Sequence, residues 1–349
     1  MIPSQWYPIL FSRDLGRRPL GVRRGNLDLV LFRDDSGTAR GLFDRCPHRG
    51  VPLSLGRVER GKLVCRYHGF EFDGGGKCVH MPCEGRGRPI PRGMCASAFP
   101  LREEDGILWL FWGRDEDALS VPIPAVDELR TFGGYTCQGS FHWPLNYALS
   151  IESNFDIHHF NFVHKSHVPF LKIGNRVDDI DVTERADGLS LRSNMVPEPG
   201  ETGKAITFRV EFRAPGMSVV SLFDDERVVV YDCPIDADHT WRMVRVHQRA
   251  VKGTLLGPLW ARVMYTGGVT IGQYIEDKPL AAMIKPRLPG PALDRPVRAD
   301  LGITTWRKLR AHLIRQADFS KMPAHVRDSR WERAPLPEAT AAAEAEAVV

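Results

Sequence analysis

Two short runs, Cys46-Pro47-His48-Arg49-Gly50 and Cys65-Arg66-Tyr67-His68-Gly69, constrain this 349-residue chain more than anything else in it. Each sets a thiol and an imidazole on a short loop, so together they offer four donors to one soft or borderline metal centre. Zinc could use such a set. So could a [2Fe–2S] cluster with two Cys on one iron and two His on the other, where neutral imidazole in place of thiolate raises the reduction potential. Gly50, Gly69 and the Gly74-Gly75-Gly76 run permit tight loops around inorganic sulfide, which favours the cluster over a zinc knuckle. Seven Cys in a chain without an export signal read as thiols or ligands, not a disulfide framework. Cys78 and Cys83 match no ligand spacing and read as packing residues or free thiols.

Around these loops the chain reads as strands and turns. Leu27-Phe32, Leu42-Phe43, Leu63-Val64 and Ile107-Trp112 are short apolar segments set apart by Gly and charged clusters, as in a small antiparallel β domain. Residues 114–130, charged and then Pro-punctuated, are the linker candidate. The expected division is 1–118 and 119–335, with 336–349 as a disordered Ala/Glu tail. Leu145 to Val163 predicts mostly helix. Leu189-Val196, Ala205-Phe212, Met217-Leu222, Arg227-Tyr231 and Trp241-Val246 are spaced as strands of one antiparallel sheet. Gly272 to Ile284 and Thr305 to Ala317 read as helix again. The second has Trp306, Leu309 and Leu313 in one stripe and Thr305 as the expected N-cap.

A second constellation lies between Glu152 and His164, where three His and two carboxylates share thirteen positions. His159 and His164 are five apart, so on a continuous helix they diverge by roughly 140°. A helix that bends or ends there would bring both rings to one metal. Two imidazoles plus one distant carboxylate leave one face of an iron open, the facial triad of non-haem Fe(II) oxygenases.

The first pair of runs resembles the Rieske iron–sulfur signature. Asp156-x-x-His159-x₄-His164, preceded by Trp143-Pro144-Leu145-Asn146-Tyr147, resembles the mononuclear-iron motif of Rieske oxygenases. The resemblance implies an α+β chain: a small antiparallel β Rieske domain, then a helix-grip-like catalytic domain with one antiparallel sheet and flanking helices. It implies that Cys46 and Cys65 bind one cluster iron and His48 and His68 the other. It further implies that His159 and His164 ligate a mononuclear Fe(II). Asp156 would hydrogen-bond a ligand His and link it to the cluster of a neighbouring subunit. Glu276-Asp277-Lys278-Pro279 resembles the segment that supplies the third ligand, which makes Asp277 that ligand, with Glu276 as the competitor. Met283-Ile284-Lys285 departs from the family's acidic and Gln residues. His158 and His167 are weaker ligand candidates.

The implied activity is that of an oxygenase component in the monooxygenase, demethylase or natural-product-tailoring branch, with C–H hydroxylation leading. O- or N-demethylation and oxidative cyclisation are the alternatives on the same scaffold, and an electron carrier or zinc module is the alternative from another class. The implied partners are O₂, a small-molecule substrate, an NAD(P)H-dependent reductase and/or ferredoxin, and two further copies in a homotrimer. No Gly-x-Gly-x-x-Gly loop or plant-type ferredoxin spacing is present, so electrons are expected from other proteins. Phe170-Arg176, Asn194-Lys204 and Met217-Phe223 are the expected pocket walls, with Pro197, Pro199, Gly200 and Gly203 in a lid-like loop.

Composition closes other routes. Lys and Arg number 47 against 43 Asp and Glu, a net +4 spread over the chain, which predicts no nucleic-acid partner. No run of about 18 apolar residues predicts a membrane span. Met1 to Tyr7 lacks the charged start and apolar core of a signal peptide, so a cytoplasmic protein is expected.

Overall fold

Three small antiparallel sheets occupy the first third of the chain. One joins Gln5–Phe11, Ile107–Trp112 and Leu101–Glu104. The second joins Leu20–Arg24, Leu27–Arg33, Ala39–Phe43 and Ala98–Phe99. The third joins Arg57–Glu59, Lys62–Val64, Glu71–Phe72 and Cys78–His80. Every side chain of Ile107–Trp112 is buried, so this apolar run is a central strand flanked on both edges. The computed structural model describes residues 1–85, 87–164, 173–249, 253–284 and 294–327. His167, Phe170 to Lys172, Lys285 and the Ala/Glu tail lie outside the described residues.

A seven-stranded antiparallel sheet carries the rest. Its spatial order is Tyr135–Trp143, Thr240–Gln248, Glu226–Pro234, Met217–Ser221, Ile206–Arg213, Gly188–Val196 and Arg176–Arg185. The five strands expected from the sequence are here, joined at the two edges by Tyr135–Trp143 and Arg176–Arg185. Those edge strands escape pattern reading because they are mostly half-exposed and polar: Arg176–Arg185 has no fully buried residue. One face of the sheet, with Val219, Val229, Tyr231 and Met243, packs on Trp6, Phe11, Ile107, Trp109 and Phe111 of the first sheet. A second apolar core takes in Tyr7, Ile9, Leu29 and Leu110 together with Tyr147, Ile151, Phe155 and Trp306, from both sides of residue 118.

The expected helix from Leu145 to Val163 is two pieces. Tyr147–Phe155 is helical, with the Asn146 side chain accepting from Ala148 N–H as N-cap. The chain then extends at Asp156 and resumes one short turn at Phe160–Val163. The expected helix 272–284 begins earlier: Gly257–Tyr265 runs into a wide-turned π segment, Thr266–Asp277, and ends in Lys278–Ala281. Among the described residues the last long helix is Leu301–Gln316, with Asp300 at its N-cap. Thr305 is therefore a buried interior residue, not the cap, and its place is set by packing of the Trp306 and Leu309 face. Gly302 allows this helix to approach closely: a Cβ there would stand 2.4 Å from Leu191 Cδ1 and 3.2 Å from Phe155 Cβ.

Candidate metal centres and the adjoining cavity

The two Cys-His loops are built alike. Cys46 N–H donates to Val51 O at 2.9 Å, and Gly50 N–H returns to Cys46 O at 2.8 Å. Cys65 N–H donates to Phe70 O at 2.8 Å, and Gly69 N–H returns to Cys65 O at 3.0 Å. Gly50 and Gly69 close the loops at φ of 76° and 70°, a region open chiefly to Gly. Cys46 and Cys65 are buried against Leu53, Leu63, Phe70 and Phe72, whereas His48 and His68 are exposed. The two imidazoles converge, with Nδ1 atoms 3.1 Å apart. Burial, followed by the neighbouring Cys65, pushes the Cys46 thiol up to about 11. A buried thiolate pair needs a cation beside it, and a metal with two imidazole donors facing solvent fits this donor set.

The second centre gathers at the break after Phe155. His159, His164 and Asp277 each place a ligand atom within 4.8 Å of the others'. The Nε2 atoms of His159 and His164 lie 3.7 and 3.3 Å from Asp277 Oδ1. A continuous helix would have splayed these rings; ending it at Asp156 and restarting at Phe160 brings them together. Their other nitrogens are occupied. His159 Nδ1–H donates to Asp156 O at 2.6 Å, with Asp156 Oδ1 at 3.4 Å. His164 Nδ1 lies 3.0 Å from Glu276 Oε2. Since a carbonyl and a carboxylate only accept, both rings carry a proton on Nδ1, so Nε2, the nitrogen that faces Asp277, is the one a metal would take.

Burial raises the Asp277 carboxyl, opposed by His164, His159 and Arg242. Burial opposes a charged His159, but Asp156 and then Asp277 outweigh it and hold the imidazole above its ordinary range. The chemistry of this set, two imidazole nitrogens and one carboxylate, suits a divalent iron with open positions. Glu276, the competing third ligand, is instead on the far side of the His164 ring. His158 lies 3.5 Å from Asp156 Oδ1 and 4.0 Å from Asp300 Oδ1, outside the cluster of three.

Below the triad, helix Tyr147–Phe155 is locked to the sheet. Buried Arg242 pairs with Asp232 at 2.9 Å and reaches Ser150 Oγ at 2.9 Å, while Asn154 Nδ2 donates to Ser218 Oγ at 3.1 Å. The Arg242 guanidinium lies 4.6 Å from the Trp143 ring centroid. From the other side, Arg307 makes a two-pronged contact with Glu152 at 2.8 and 2.6 Å.

A cavity of about 510 Å³ opens on His159, His164 and Asp277. Its walls are mainly apolar, with Phe160, Phe208, Val220, Leu222, Val228, Val230 and Val269. Of the expected walls, Met217-Phe223 contributes Val220, Leu222 and Phe223; among the described residues, 173–176 and 194–204 contribute none. Residues 263–277 supply that side instead, because the π segment lies across the sheet. The lid-like Pro197–Gly203 loop is therefore not at the cavity wall. Glu226, Arg242 and Gln273, which pattern reading passed over, also line it. The available signal was Glu226-x-Val228-x-Val230, a carboxylate in phase with the apolar positions of one strand face.

Residues 5–99 match the family described as the Rieske [2Fe-2S] domain. Dicamba O-demethylase, oxygenase component, of Stenotrophomonas maltophilia is 37% identical over 172 residues, 47% of this chain and 48% of that protein. The 4beta-methylsterol monooxygenase of Methylococcus capsulatus is 34% identical over 184 residues, 49% of this chain and 47% of its own. The chain spans about half the length of the curated relatives it matches. Dicamba monooxygenase bound to 3,6 dichlorosalicylic acid superposes at a TM-score of 0.71 and 20% identity, covering 90% of this chain and 98% of that one. Pseudomonas putida CBB5 NdmA superposes at 0.72 and 20% identity, covering 95% and 94%. These likenesses show a shared fold.

Proposed function

From a chain that carries a Rieske [2Fe-2S] domain on residues 5–99 and has the fold of Rieske oxygenase components, we propose the oxygenase component of a Rieske non-haem iron monooxygenase. Its reaction is hydroxylation of a C–H bond in a small organic or natural-product substrate. One C–H bond, O₂, two electrons and two protons give C–OH and water. The electrons come from an external NAD(P)H-dependent reductase, directly or through a ferredoxin, in the cytoplasm. The observation that carries the reading is the convergence of His159, His164 and Asp277 at the floor of an apolar cavity.

When bound, the cluster supplies single electrons and the mononuclear iron supplies the chemistry of dioxygen reduction. Cys46 and Cys65 would hold one cluster iron and His48 and His68 the other, with the exposed imidazole edge available to a donor or acceptor surface. His159, His164 and Asp277 would hold the mononuclear iron. Asp156 and Glu276 keep the two rings in the Nε2-presenting tautomer. The cavity wall excludes water and orients the C–H bond. Asp156, with 35% of its side chain exposed, connects His159 to the surface. In this reading it bridges to the cluster of the next copy in a head-to-tail homotrimer, since heterologous contacts close into rings.

O-demethylation is the second reading, favoured by a relative named an O-demethylase at 37% identity. The same stoichiometry applied to an O–CH₃ group releases formaldehyde. The experiment is substrate-dependent O₂ consumption by the iron-loaded protein with a reductase, with product analysis. Hydroxylated product without formaldehyde supports the first reading and equimolar formaldehyde the second. O₂ consumption unchanged by His159→Ala sinks both.

A further inference from the structure

Glu226 stands on the wall of the cavity and is buried, with 8% of the residue exposed. It begins strand Glu226–Pro234 and shares a face with Val228 and Val230, which also line the cavity. Its cross-strand neighbour is Gln248, whose Nε2 donates to Glu226 Oε2 at a long 3.4 Å. The other charged groups on the wall are committed elsewhere. Arg242 pairs with Asp232, and His159 and His164 face Asp156, Glu276 and Asp277. Asp225 beside Glu226 adds charge of the same sign, and with burial, the larger cause, it pushes the carboxyl up to about 7. An ionised carboxylate in such a wall is costly unless a cation joins it.

Position adds a length. Glu226 is six residues along the strand from Asp232, the partner of Arg242 at the triad end, so roughly 20 Å of strand separates them. The valines between them form an apolar track.

We propose that Glu226 seats a basic nitrogen at one end of an extended apolar substrate, whose other end lies against His159, His164 and Asp277. The site of oxidation rests on the oxygenase reading above; the binding preference does not. The carbon that is oxidised is then remote from the nitrogen, and oxidation adjacent to that nitrogen is not the reaction.

The test uses the full, metal-loaded chain and three probes of one length: 4-phenylbutylamine, 4-phenylbutan-1-ol and 4-phenylbutyrate. Calorimetric titration at about pH 8 should find the amine at least about tenfold tighter than the alcohol, and the carboxylate weakest. Glu226→Gln should remove the preference for the amine while the alcohol stays within about threefold, which also establishes that the variant is folded. The proposal is overturned if the amine binds no tighter than the alcohol, if its advantage survives in Glu226→Gln, or if none of the three binds. A retained amine preference in a protein that never couples O₂ uptake to product would sink the oxygenase reading and leave this one standing. Coupled turnover of neutral compounds without amine preference would do the reverse.

Discussion

His164 Nδ1 stands 3.0 Å from Glu276 Oε2. That contact puts the proton on Nδ1 and leaves Nε2 facing Asp277, 3.3 Å away. Two adjacent residues of one helix end thus serve one ring from opposite sides: Glu276 orients it, and Asp277 faces the nitrogen that would hold a metal.

Glu276→Ala should weaken retention of the mononuclear iron by about 10- to 100-fold, the usual effect of removing a residue that orients a metal-binding His. Cluster absorbance should be unchanged. Asp277→Ala should lose the mononuclear iron outright. Metal analysis of the two dialysed variants checks the ranking, and equal losses would contradict the division of roles.

Asp156→Asn should keep both metals, because the backbone carbonyl that holds His159 Nδ1 survives the change. It removes the negative charge that stands 3.4 Å from His159 Nδ1. Turnover with a reductase should fall at least about tenfold while iron content stays constant. Wild-type rates would defeat the bridging role given to Asp156.

Cys65→Ser should abolish the cluster's visible absorbance and its acid-labile sulfide. Gly69→Ala is a subtler probe of the same loop. At φ 70° a Cβ is strained, and it would meet Pro82 Cγ at 3.2 Å. Slower cluster assembly, with the Cys and His ligands all present, is the expected result, measured by absorbance during anaerobic reconstitution.

Arg242→Met should cost about 3–5 kcal/mol, because it leaves Asp232 buried and unpaired. Asp232→Asn in the same chain should recover part of the loss. Urea midpoints measure both. Arg57→Ala, which breaks the exposed pair with Glu59, should leave the midpoint where it is.

Glu226→Gln should change stability in a pH-dependent way. In the folded ligand-free chain burial raises this carboxyl to about 7, above its ordinary unfolded value. The native state therefore keeps a proton that the unfolded chain has already lost, and stability falls as pH rises from the acid range to about 7. The penalty at about pH 8 is at most roughly 3 kcal/mol. The Gln variant escapes it, so its melting temperature should exceed that of the parent at about pH 8 and converge with it near pH 5. A gap independent of pH would refute the assignment.

Much of the candidate site was legible because such motifs are local. Cys46 and His48, or Cys65 and His68, ride on one loop each, and a loop's donors and its closing Gly must be near one another in the chain. The strands 189–196 through 241–246 were legible for a similar reason: alternation is a property of neighbours. Tyr135–Trp143 and Arg176–Arg185 were not, since half-exposed edge strands lack the apolar phase. Thr305 as a cap failed because packing of Trp306 and Leu309 extended the helix back to Leu301.

By itself the sequence determined the kinds of donors this protein has and the loops that carry them, because those depend on residue type and short spacing. The tertiary structure alone decided which face which. Asp277 reaches His159 and His164 across more than a hundred residues because a π segment is laid over the sheet, and Glu226 joins a cavity because its strand register turns it inward. No local pattern encodes such meetings: they follow from how separate elements bury their apolar faces against one another.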